Sequence, residues 1–164
     1  MEETIRRFKE HLAKQHAYEH ALGVLYYDAE TVMPRAGGEG LSRTIGVLSE
    51  ESYRLSTAPE LKELLQTLLE NKAEIDWVTQ REAEELSENM ERMEKIPMEE
   101  FVAYQMAQNE ASRIWHEAKV NNDYAAFEPH LAKLIEYQRR FAGYMRPELP
   151  AYDALLDQYE KGLT

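Results

Sequence analysis

The stretch that decides the fold is Tyr26-Tyr27-Asp28-Ala29-Glu30-Thr31-Val32-Met33-Pro34. Upstream of it, residues 2–27 read as one amphipathic helix: Ile5, Phe8 and Leu12 recur at helical spacing, and Ala17, Ala21, Leu22, Val24 and Leu25 carry the apolar surface onward with no proline between them. From Asp28 to Gly40 the pattern breaks, because Pro34, Gly37, Gly38 and Gly40 oppose a continuous helix and predict a flexible loop. Helical spacing then resumes over 41–56 with Leu41, Ile45, Leu48 and Tyr53. Helix, break and helix again is the pattern that the rest of the chain repeats.

Thr57 stands as the N-cap of a next helix, with Pro59 and Glu60 in the first turn, where a missing N–H and a negative charge both fit. Leu61, Leu64, Leu65, Leu68 and Leu69 form its stripe. Asp76 caps a charged helix from about Trp77 to Lys95, with Trp77, Ala83, Leu86 and Met90 as the inward face. Ile96-Pro97-Met98-Glu99-Glu100 marks a break and restart, and 101–120 is helical again through Phe101, Tyr104, Met106, Ala111, Ile114, Trp115 and Ala118. After the turn residues Asn121-Asn122-Asp123, a last long helix is placed at Pro129 to Met145, and Pro147 and Pro150 interrupt the chain before 151–159. No stretch alternates like a half-buried strand. The expectation is all-α, six or seven helices with short loops, in a single helical domain or subdomain over 1–164.

Thirty-one acids against nineteen bases give a net charge of −12, which repels phosphate backbones and anionic lipid surfaces and argues against nucleic-acid or membrane partners. Cysteine is absent, so neither a disulfide framework nor a thiolate zinc site can form, in keeping with a reducing cytoplasm. The opening residues hold no apolar run suited to a signal peptide, and no window approaches the ~20 apolar residues of a membrane span. A soluble, cytoplasmic protein is expected.

Several groups invite chemical readings. His16-Ala17-Tyr18-Glu19-His20 matches H-x-x-E-H, in which two imidazoles four residues apart share a helix face and could grip one zinc while the glutamate activates water. A third ligand is required, and Glu91 or Glu94 would be candidates. At about 100° per residue His16 projects roughly 20° from Ile5, a placement that suits a packed or partner-facing histidine. Asp28 and Glu30 are paired acids that could do acid/base work if burial separated their pKa values, although capping and bracing the loop is the simpler role. Gly37-Gly38-Glu39-Gly40 lacks the lysine and strand of a phosphate loop. Trp115-His116-Glu117-Ala118 begins like H-E-x-x-H, but Val120 stands where the second histidine belongs. Arg139-Arg140 reads as a salt-bridged or solvated face.

Three segments together resemble the N-terminal part of the thermostable carboxypeptidase family, the all-helical H-E-x-x-H zinc metallocarboxypeptidases. They are Tyr27-Asp28-Ala29-Glu30-Thr31-Val32-Met33-Pro34; Ala111 to Lys119 with Asn122-Asp123-Tyr124, Phe127, Pro129 and Leu131; and Tyr152-Asp153-Ala154-Leu155-Leu156-Asp157-Gln158-Tyr159-Glu160-Lys161-Gly162-Leu163-Thr164. Tyr27 replaces the family's usual tryptophan, and Ala151 and Lys161 stand where proline is usual. The resemblance implies a parent roughly three times longer, in the size range where chains divide into domains. It implies a homodimeric peptidase of peptide substrates with zinc or another divalent metal, its metal ligands beyond Thr164. Under this reading no catalytic, cofactor or metal residue lies in 1–164, the chain alone is inactive, and Thr164 opens a further helix. The end would then reflect truncation, proteolysis or an incomplete gene, and would leave apolar surface exposed or hidden by self-association. Two other expectations stand beside it: a non-catalytic helical interaction module, and a small zinc enzyme using His16, Glu19 and His20.

Overall fold

A computed structural model describes residues 1–162, and among them every regular element is helical. Seven α-helices follow in order: α1 Glu2–Thr31, α2 Gly38–Ser56, α3 Pro59–Glu70, α4 Trp77–Met93, α5 Met98–Asn121, α6 Tyr124–Met145 and α7 Ala151–Leu156, with short 3₁₀ turns at Arg35–Gly37 and Lys72–Glu74. The all-α expectation is met. The chain divides into two compact units, the first formed by Met1–Val24 with Val47–Glu94, the second by Leu25–Gly46 with Lys95–Thr164. No helix among the described residues is long and apolar enough to cross a membrane.

In the first unit, α3 starts where its chemistry places it, with Pro59 at the first helical position and Glu60 in the first turn. Leu61, Leu64, Leu65 and Leu68 recur at three- and four-residue spacing and are all buried. Asp76 caps α4, its carboxylate accepting from the backbone N–H groups of Val78 and Thr79 at 2.9 and 3.1 Å. These elements close over a core of Phe8, Leu12, Leu61, Leu65, Leu68, Ala83 and Met90. Each large apolar side chain fully buried there contributes about 1.5–3 kcal/mol of transfer free energy. In the second unit Ile96, Ala107, Tyr137, Phe141 and Met145 form the core, with Phe101, Tyr104 and Leu155 packed against it. Tyr104 meets Phe141 and Tyr137 edge-on at ring separations of 5.4 and 5.7 Å.

Five local expectations are corrected. Helix α1 continues past residue 27 to Thr31, and the Asp28 carbonyl accepts from both Val32 and Met33 N–H groups (3.1 and 3.0 Å) before Pro34 bars the helical conformation at Met33. The Gly37–Gly40 run is no flexible loop, since Gly38, Glu39 and Gly40 form the first turn of α2. Ala58, not Thr57, is the N-cap of α3; the Thr57 hydroxyl donates backward to the Tyr53 carbonyl at 2.9 Å. Trp77 lies at the first position of α4 and is 73% exposed, while Thr79 takes the buried place on that turn. Helix α6 begins at Tyr124 rather than Pro129, capped by Asp123 accepting from Ala126 N–H at 3.1 Å, and Pro129 lies within it. The reading of Thr164 falls outside the described residues.

Candidate functional site

In the second unit, polar side chains from distant parts of the sequence come together where the last turns of α1 face α5. Glu30 is the centre of the group. Its two carboxylate oxygens accept short hydrogen bonds from the Ser112 hydroxyl and from His116 Nε2. An ionised carboxylate only accepts, so the His116 proton in this contact belongs to Nε2. Ser112 and His116 are four residues apart on α5, which puts both on one face toward the same acid. The Ser112 hydrogen bond, reinforced by that from His116, holds the Glu30 carboxyl below the usual carboxylate range. An acid tuned downward stays ionised and cannot serve as a proton donor near neutral pH.

One turn back along α1, the Tyr26 hydroxyl donates to Gln105 Oε1 at 3.0 Å, and burial raises its pKa. Tyr26, Glu30, Gln105, Gln108, Asn109 and Ser112 line a cavity of about 260 Å³. A neighbouring cavity of about 400 Å³ is bounded by the first turn of α2 and by Asn109, Glu110 and Arg113. A third, of about 370 Å³, lies where α5 passes into α6, and there the Lys119 ammonium sits 4.7 Å from the Trp115 ring centroid. That junction is tight because Asn122 adopts the left-handed conformation at φ 53°, letting Asp123 N–H reach the Ala118 carbonyl at 2.8 Å.

Asp28 and Glu30 are not a matched pair. Glu30 binds α5 side chains, whereas the Asp28 carboxylate has no hydrogen-bond or ion-pair partner among the described residues. Glu30 therefore braces helix to helix rather than capping a loop. His16, Glu19 and His20 are all exposed on α1; Glu19 accepts from the Gln15 amide at 3.4 Å, and Glu94 is engaged by Lys62 at 2.9 Å. Among the described residues no three His, Asp or Glu side chains are grouped so as to hold a metal ion. Arg140 pairs with Glu100 and Glu136 at 3.1 and 3.4 Å and stacks on Tyr137, as a salt-bridged face should. Spacing rules pointed to neither Asn109 nor Arg113. Ser112 and His116 do lie in the second of the three resembling segments and Glu30 in the first, so two of those segments meet in space through these three side chains.

Residues 7–164 match the model of the family described as Carboxypeptidase Taq (M32) metallopeptidase. The chain belongs to this family. Carboxypeptidase 1 of Bacillus subtilis is 33% identical over 147 residues, covering 90% of this chain and 29% of the relative. Thermostable carboxypeptidase 1 of Pyrococcus furiosus is 34% identical over 163 residues, covering 98% of this chain and 32% of the relative. The crystal structure of BsuCP superposes with a TM-score of 0.94 at 32% identity, covering 98% of this chain and 32% of that one. This chain thus spans about a third of the length of the family members it matches. A metallopeptidase family implies a divalent metal, but the donor set among the described residues does not fit one.

Proposed function

We propose that residues 1–164 form the N-terminal helical region of a metal-dependent carboxypeptidase, which removes C-terminal residues from peptides. The observation that carries this is the family match across 7–164, confined to about a third of the relatives' length, in a sequence that holds no complete H-E-x-x-H. In the whole enzyme these helices wall the substrate groove, and zinc or another divalent ion, held by residues outside this stretch, polarises the scissile carbonyl. The reading includes a homodimer and a peptide substrate, both carried by likeness to the family. A cytoplasmic location is supported by the cysteine-free composition. The chain by itself is expected to be inactive.

Zinc content tests the proposal. Purified protein dialysed after zinc loading should retain less than stoichiometric metal. One tightly held zinc per chain, lost in both His16→Ala and His20→Ala, would replace this reading with a small zinc enzyme built on α1.

A further inference from the structure

The cavity between the first turn of α2 and the Asn109–Arg113 face of α5 is assigned no role by the peptidase reading. We propose that it binds the zwitterionic head of a free α-amino acid, the carboxylate held by Arg113, the Asn109 amide and the first-turn N–H groups of α2, the ammonium by Glu110.

Four observations converge on it. The first turn of α2 follows directly on the Arg35–Gly37 turn, and the helix dipole makes that end attractive to anions. Gly38 lets the Arg113 side chain lie against this turn, since a Cβ at position 38 would stand 3.2 Å from Arg113 Cδ. The Arg113 guanidinium makes no ion pair among the described residues, although the chain carries 31 acids against 19 bases. Asn109 is only 8% exposed, lines the cavity, and its amide has no hydrogen-bond partner. That amide opens onto the cavity, where a ligand can both accept from it and donate to it.

Charge balance narrows the ligand class. Glu39 is already paired with Arg43, but Glu110 has no ion-pair partner among the described residues and borders the same cavity. A phosphate dianion would meet Glu39 and Glu110 beside one arginine. A zwitterion presents its carboxylate to Arg113 and its ammonium to Glu110, leaving neither charge unmatched. The volume of about 400 Å³ lies within the range of small-molecule sites. Free amino acids are also the product class of a carboxypeptidase. That link alone rests on the reading above; the site does not.

Titration of the isotopically labelled chain with L-alanine, followed by amide NMR, tests the assignment whether or not the protein hydrolyses peptides. The expected result is saturable shifts at Gly38, Glu39, Gly40 and the Asn109 side-chain amide, with L-alaninamide and N-acetyl-L-alanine binding about tenfold more weakly. Arg113→Ala, at an exposed side chain, should weaken L-alanine by a similar factor, and Asn109→Asp should do the same by placing a carboxylate against the ligand's own. If Asn109→Asp fails to fold, Arg113→Ala carries the test. The proposal is overturned if L-alanine moves none of these resonances, if inorganic phosphate or N-acetyl-L-alanine binds as well, or if Arg113→Ala binds unchanged.

Discussion

The first unit is held by aliphatic packing around Phe8 and tied at its surface by ion pairs, whereas the second is packed on aromatic rings and threaded with polar side-chain contacts. In the first, Lys9 pairs with Glu82, Arg7 with Glu60 at 2.6 Å, and Lys62 with Glu94 at 2.9 Å. Such exposed pairs contribute little each. In the second, Gln138 donates to the Tyr104 hydroxyl at 2.6 Å, Tyr26 to Gln105, and Ser112 and His116 to Glu30, and the cavities described above all lie there. A core of methylenes specifies shape. Polar groups that must find partners specify position as well, and they leave places where a ligand can supply a missing bond.

The difference can be broken experimentally. Phe8→Ala and Phe141→Ala should each cost about 3–5 kcal/mol, because both rings are buried and a cavity remains behind. Hydrogen exchange should show Phe8→Ala losing protection in α3 and α4, and Phe141→Ala in α5 and α6. Loss spread equally over both units in either variant would erase the distinction. Gly46→Ala is next, at about 1 kcal/mol net in thermal unfolding, because overpacking against Met106 Sδ, 3.0 Å from the added Cβ, is partly offset by the better helix propensity of alanine. Tyr104→Phe should cost about 1 kcal/mol in urea unfolding, by stranding the half-buried Gln138 amide.

The smallest effect is at Glu30 and is read through pH. Its folded-state pKa is depressed, so its contribution is present above the ordinary carboxyl value of 4.5 and is lost as pH falls through the lower folded value. The stability gap between the native protein and Glu30→Gln should therefore be full at neutral pH and close on acidification. A gap that widens toward acid would contradict the depressed pKa.

How much of this was legible in the sequence follows the range of the forces involved. The leucine stripe of α3, Pro59 at its start and the Asp76 cap of α4 act within one or two turns, and the sequence shows them directly. The start of α2 is hidden because glycines read as a break, although Gly38 and Gly40 sit in its first turn, where flanking contacts outweigh weak propensity. Hydrophobicity alone turns Trp77 inward, but a first-turn position beside the cap leaves it exposed to solvent. Pro129 reads as a helix start, whereas Asp123 caps the helix a turn and a half earlier. The Glu30 contacts join residues 82 and 86 positions apart, and no periodicity spans that distance.

The central claim is that these helices belong to a carboxypeptidase whose catalytic metal is bound elsewhere. Release of the C-terminal residue from a blocked dipeptide, assayed with the purified chain and added zinc, tests it most directly. The account predicts no release above the enzyme-free rate. Turnover that tracks the chain through purification and is abolished by a chelator would contradict it.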